Sequence, residues 1–192
     1  PFYRKGCLQA TPPRFPIAKP EKVSWITDSA RLSLPDLALL PKVAWDQDLV
    51  KSWQIGEAGA HQRFADFLED GMTNYKKGRD FPAIKGVSRL SPHIHFGEIS
   101  VHQIWHHVQD LESDKNTDHF CSELGWREFS YSQLYYNQNL PTENLQKKFD
   151  AFPWHEDSAR LERWQKGKTG IPIVDAGMRE LWQTGFIHNR TR

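Results

Sequence analysis

The sequence has 192 residues, the size of one ordinary domain that buries roughly 70% of its unfolded surface. Its 25 Lys+Arg against 24 Asp+Glu exclude a wholesale basic coat for nucleic acid or an acidic tail, so any such contact is local. Two cysteines, Cys7 and Cys121, supply neither a disulfide framework nor a metal cassette and make a reducing compartment the default; no apolar run nears the roughly 20 residues that cross a bilayer and no signal peptide is legible, so a soluble protein is expected.

Residues 1 to about 50 hold Pro1, Pro12, Pro13, Pro16, Pro20, Pro35 and Pro41. So many helix breakers predict an extended linker or wrapping segment with only short helical pieces. Leu37, Leu39 and Leu40 are expected to pin it to a neighbouring surface, with the compact domain after it. A first amphipathic helix is predicted over about 57–70, where Ala58, Phe64, Phe67 and Leu68 recur at helical steps and Gly71 follows as a stop. Residues 74–91 carry Gly78, Pro82 and Gly86 and predict a long ordered loop, of the kind that often carries function.

A second helix is predicted within 97–111, capped by Ser100, with Ile99, Ile104, Trp105 and Val108 on its apolar face. The third, about 117–137, is expected to start at the Thr117-Asp118 dipeptide. At 100° per residue its Phe120, Glu123, Arg127, Tyr131 and Leu134 share one face, with Trp126 just to the side. Two more helices are predicted, one behind Asp157-Ser158 ending at Gly167, the other from Pro172 to Gly185. No strand pattern or repeat interrupts them, so the fold class is all-α.

The aromatic content is high, with 8 Trp, 5 Tyr and 11 Phe. Most of these rings are expected in the core, Trp126, Trp154, Trp164 and Trp182 included, while some could stack on a flat ligand or on bases. Glu123 and Arg127, one turn apart, are either an i,i+4 ion pair or charges kept on an apolar face for a ligand. The loop Lys85-Gly86-Val87-Ser88-Arg89-Leu90-Ser91 joins a glycine, hydroxyls and a cation ahead of a helix, and reads as a phosphate cradle or as an ordinary capped loop. His93/His95 and His102/His106 lack the third and fourth converging ligands of a metal site, so no metal is expected. Lys166 and Lys168, with Arg160 and Arg163 upstream, form a short basic patch that suits a phosphate backbone or merely solvates a helix.

Four blocks in order, Tyr75-Lys76-Lys77-Gly78-Arg79-Asp80-Phe81-Pro82, the run Ser88 to Ser100, Glu123-Leu124-Gly125-Trp126-Arg127-Glu128-Phe129, and Trp164 to Ala176 closing with His188-Asn189-Arg190, resemble the photolyase/cryptochrome family, most closely its class I cyclobutane pyrimidine dimer photolyases. The resemblance implies a helical FAD-binding domain of photolyase type, truncated and preceded by the proline-rich linker. Residues 1–50 then correspond to the interdomain linker with the antenna domain absent, and 51–192 to the N-terminal part of the FAD domain. An internal fragment is expected, with weak FAD binding and no activity of its own.

For the full-length parent the resemblance implies a carbon–carbon lyase that splits pyrimidine dimers in damaged DNA, driven by light through excited reduced FAD. A second antenna chromophore of folate or deazaflavin type is expected only in the absent domain. Tyr75 and Val87, Ser88, Arg89, Leu90 and Ser91 match positions that hold the FAD phosphates, Val87 departing from the usual threonine. Phe120 and Arg127 match cofactor-side positions, and Asn189 lies where flavin and substrate meet. Glu123 and Trp126 match the carboxylate and indole that receive the lesion and are expected on one cavity wall. Arg79, Asn189 and Arg190 match positions facing DNA, and Trp154 the outer member of the electron-transfer tryptophans. A cytoplasmic monomer of bacterial type is expected. Asn189 after His188 favours repair; the alternatives are a cryptochrome-type blue-light receptor that binds FAD without repair, and a helical nucleic-acid-binding module without cofactor.

Overall fold

A computed structural model describes residues 2–24 and 32–192; Pro1 and residues 25–31 lie outside the described residues. Among the described residues there are eight α-helices and no strand. They are α1 (Gln47–Lys51), α2 (Glu57–Asp70), α3 (Tyr75–Gly78), α4 (Ser91–His95), α5 (Val101–Gln109), α6 (Lys115–Tyr136), α7 (Ser158–Gln165) and α8 (Pro172–Thr184). The predicted loop over 74–91 thus contains α3 and opens onto α4. Both are too short to show a helical period in sequence.

Local chemistry explains the starts. Ser100 accepts from the Gln103 amide while the Gln103 side chain reaches back to the Ser100 amide, a capping box for α5. Helix α6 starts earlier than the Thr117-Asp118 dipeptide suggested. Asp114 is its cap, accepting from the amides of Asn116 and Thr117 at 2.8 Å each, and Thr117 is the inward partner of that box. Asp157 caps α7 at the Arg160 amide, and α8 ends at Gly185.

One core joins α2, α5 and the first half of α6. Ala60, Phe64 and Phe67 from α2 meet Ile104 and Val108 from α5 and Phe120, Cys121 and Leu124 from α6, with Tyr75, Leu90 and Ile99 closing the cluster. The buried face of α2 begins at Gly59; Ala58, expected on it, is exposed. Phe67, Tyr75 and Phe120 form a ring trio with centroids 5.1–5.6 Å apart, edge and tilted geometries that add to area burial.

Tryptophan does not follow the core expectation. No described Trp is buried, and Trp126, Trp154, Trp164 and Trp182 are exposed, because no described segment of this chain packs over them. Leu37, Leu39 and Leu40 are likewise exposed rather than pinned. The linker docks instead through its first residues. A π-helical turn, Phe2–Gly6, lies on α6, Tyr3 packs against the core, and Phe15 stacks on His106, whose Nε2 is 2.9 Å from the Pro13 carbonyl oxygen. Helix α7 contributes no buried residue, and α8 only Asp175, Gly177 and Met178.

Candidate functional site

The face of α6 read from its spacing lines a cavity of about 520 Å³. Phe120, Glu123, Arg127, Tyr131 and Leu134 form one wall, as 100° per residue requires. Tyr75, Leu90 and Ile104 form an apolar floor, and the hydroxyl residues Ser88 and Ser91 stand at the rim. The volume falls within the range of cofactor and ligand pockets, and the lining has their usual make-up of apolar surface with a few convergent polar groups.

Loop 79–91 presents those hydroxyls through two backbone devices. Gly86 lies against the chain at Gly78 so closely that a Cβ there would stand 2.5 Å from the Gly78 carbonyl oxygen, so the loop closes only with glycine. Arg89 adopts a left-handed φ of 54°, a conformation that costs roughly 1–3 kcal/mol for a non-glycine residue. It is held there by an ion pair with Glu180 and by its guanidinium lying 4.5 Å from the Phe186 ring centre. The consequence is an alternation. Ser88, Leu90 and Ser91 line the cavity, while Val87 and Arg89 line a second, polar cleft of about 410 Å³ together with Glu180 and His188. Ser88 borders both.

Of the two readings of Glu123 and Arg127, the i,i+4 ion pair is not formed, and Glu123 is paired elsewhere. Arg127 donates to the Tyr131 hydroxyl at 3.0 Å and lies over its ring. Glu123 makes its ion pair with Arg79, from the segment after α3. Arg79 Nη1 is also 3.2 Å from His119 Nε2, which lies 3.9 Å from the same Glu123 oxygen. The Arg79 guanidinium sits over the Tyr75 ring at 5.5 Å. Burial alone would lower the guanidinium's affinity for its proton, but the hydrogen bond to Glu123 and the charges of Tyr75, Glu123 and Asp80 outweigh it and raise the pKa. Burial pushes the Tyr75 phenol up to about 12, with Arg79 opposing and Glu123 adding. Both groups keep their protons through the neutral range.

The remaining predicted residues sit apart from this cavity. Trp126 is 61% exposed and does not share the wall with Glu123. Its ring turns edge-on to Phe129, 5.5 Å away, which in turn meets Phe2. Trp154 is exposed and tilted against Phe152. Asn189 is exposed. Arg190 chelates Asp80 through two guanidinium nitrogens and so tethers the chain end to the loop that carries Arg79. The Arg79 partnership had no local sequence signal, because Arg79 lies 40 or more residues from Glu123 and His119; the i,i+4 spacing of His119 and Glu123 was the one local signal.

Two buried histidines flank the region. His188 accepts the Arg190 amide at Nδ1 (3.1 Å), so its proton sits on Nε2, which has no partner, and burial lowers its pKa against the opposing pull of Glu180. His93 Nδ1 pairs with Glu98 at 2.5 Å. Among the described residues no three His, Cys, Asp or Glu side chains converge as metal ligands, and no described helix is long and apolar enough to cross a membrane.

Residues 120–192 match the family described as FAD binding domain of DNA photolyase. The chain is 42% identical over 163 residues to a deoxyribodipyrimidine photo-lyase of Agrobacterium fabrum, covering 83% of this chain and 34% of that one. It is 33% identical to Cryptochrome-2 of Arabidopsis thaliana over 99% of this chain and 34% of the relative. Among solved structures, a bacterial class III photolyase from Agrobacterium tumefaciens superposes with a TM-score of 0.79 at 42% identity, over 84% of this chain and 34% of that one. The chain therefore spans about a third of the length of these relatives.

Proposed function

This chain belongs to the photolyase/cryptochrome family and carries part of its FAD-binding domain, and from that premise we propose that the full-length protein repairs cyclobutane pyrimidine dimers in DNA under light. The observation that carries the proposal is the placement of Glu123 in the wall of an aromatic cavity, paired with a cation and 31% exposed at its side chain. The cofactor of this domain is FAD. The donor set fits it: hydroxyls of Ser88 and Ser91 and the Arg127 guanidinium suit a phosphate linkage, and the apolar rings of Tyr75 and Phe120 suit a flat ring system. When bound and reduced, this cofactor supplies the light-driven electron for ring splitting.

The chain's own residues then bind and orient. Glu123, held in place by Arg79, offers its second oxygen to the polar edge of a flipped pyrimidine pair. Trp126 offers its exposed ring from outside the cavity. Extruding a base costs a few kcal/mol and least for damaged pairs, while stacking returns roughly 1–3 kcal/mol per base. Arg79, Arg190 and Asn189 supply polar contacts for the DNA, and Trp154 a surface position for electron entry.

Loss of dimers from irradiated DNA under blue light, measured with the full-length protein, is the test, and Glu123→Gln should slow it. No loss despite bound, reduced flavin would overturn repair and favour the second reading, a blue-light receptor, which the similarity to Cryptochrome-2 across 99% of the chain supports. Asn189 after His188 weighs toward repair. This holds whether the protein falls in class I, as that triplet suggests, or in class III, as the Agrobacterium structure is described.

A further inference from the structure

His119 projects from α6 one position before Phe120 and is only partly exposed. Its Nε2 faces two groups at once, Arg79 Nη1 at 3.2 Å and Glu123 Oε1 at 3.9 Å. An arginine N–H can only donate, so at the shorter contact Nε2 is an acceptor and the ring proton sits on Nδ1. Three other groups complete the surroundings. The Tyr75 ring from α3 lies 6.1 Å away. The Asp80 carboxylate feels the His119 charge and is itself chelated by Arg190.

We infer that His119 is a positioning residue for Glu123: as a neutral imidazole it anchors Arg79 on the carboxylate, and as an imidazolium it displaces Arg79 and takes the carboxylate oxygen itself. The exchange balances atom by atom. On protonation Nε2 gains an N–H and loses its lone pair, so the Arg79 Nη1–H faces a donor 3.2 Å away and withdraws. The new Nε2–H then points at Glu123 Oε1, the acceptor next in line. Only a proton is added. Arg79, freed from Glu123, remains the cation nearest Tyr75 and becomes available to a phosphodiester. In the first state Glu123 is clamped from the far side of the loop. In the second it is drawn along its own helix by a residue one turn back, and its free oxygen changes position.

This rests on the reading that Glu123 meets the lesion, and the experiment separates the two. Full-length protein is titrated in the dark with a duplex carrying one thymine dimer and with the same duplex undamaged, at about pH 8 and about pH 6. The wild type should lose preference for damaged DNA roughly tenfold on acidification, the scale of one hydrogen bond to a charged group. His119→Gln, whose amide oxygen can accept from Arg79 but cannot be protonated, should keep the high-pH preference at both values. His119→Leu, with no acceptor, should be low at both.

A His119→Gln profile that follows the wild type, or a His119→Leu variant that retains the preference at pH 8, overturns the role of His119 while leaving the repair reading standing. If the wild type does not distinguish damaged DNA at either pH, the Glu123 reading fails. The His119 assignment is then decided without DNA by the ¹⁵N spectrum of its imidazole. An unprotonated Nε2 in the neutral form supports it, and a protonated one refutes it.

Discussion

The two halves of α6 have opposite fates, and the more aromatic half is the exposed one. From Asn116 to Gly125 six residues are buried, whereas from Trp126 to Tyr136 none is, although this second half carries Phe129, Tyr131, Leu134, Tyr135 and Tyr136. Apolar character is therefore not what decides burial here. The first half has α2, α3 and α5 across from it, whereas the second half is met by Phe2 at Phe129 and keeps no buried residue; α8 is met by α1 and α7. The first region, the front half of α6, is held by packing; a second region, α8 and the segment after it, is held by discrete polar tethers: the Trp53 indole N–H donating to the Thr184 carbonyl at 2.6 Å, Arg89 with Glu180, and Arg190 with Asp80.

Ile104→Ala, at a fully buried position, should cost about 2–5 kcal/mol in denaturant unfolding, since a buried methylene group is lost and a cavity is left. Gly125→Ala tests the seam where the linker meets α6. A Cβ there would fall 2.3 Å from Tyr3 Cδ2, so Tyr3 must leave. The expected net loss is about 1 kcal/mol, because improved helix propensity offsets part of the overpacking, and fluorescence or amide exchange should show the Phe2–Gly6 turn loosened.

Acid tests the second region. His188 is buried neutral with a lowered pKa, so its stabilising effect is complete above the unfolded imidazole value of about 6.5 and is lost as pH falls toward the folded value. Asp175 accepts from the Thr169 amide and hydroxyl and the Gly170 amide at 2.6–3.0 Å, and those bonds lower its pKa. Its stabilising effect is present above about pH 4 and disappears below. Protection of the α8 amides, taken relative to the intrinsic exchange rate at each pH, should therefore fall in two stages on acidification while α5 stays protected. Leu134→Ala, in the uncovered half of α6, should change stability by less than about 0.5 kcal/mol; a larger loss would mean that this half is packed after all.

Much of this was legible in sequence, for definite reasons. The bounds of α2, α5, α7 and α8 follow from caps and stops that act over one turn, such as Ser100, Asp157 and Gly185. The cavity face of α6 follows from angular spacing alone. The start of α6 was misread because Thr117 serves the cap rather than being it, a distinction made by φ/ψ and not by residue type. The tryptophans were misjudged because burial depends on a partner surface. Arg79 was missed as a partner of Glu123 because no local rule links residues so far apart in sequence, whereas His119 precedes Glu123 by one helical turn and lay within reach of the i,i+4 rule.

The tethers of α8 also set an order in time. Trp53 to Thr184, Asp80 to Arg190 and Arg89 to Glu180 close loops of 131, 110 and 91 residues, and long closures delay contact formation more than local ones do. A chain emerging from the ribosome has every member of its core cluster, Ala60 through Leu124, in hand before α8 has been synthesised. The nucleus can thus condense around Phe67, Tyr75 and Phe120 first, and α8 docks afterwards as the slow, late step, whose rate Trp53→Phe should lower without altering the earlier phase.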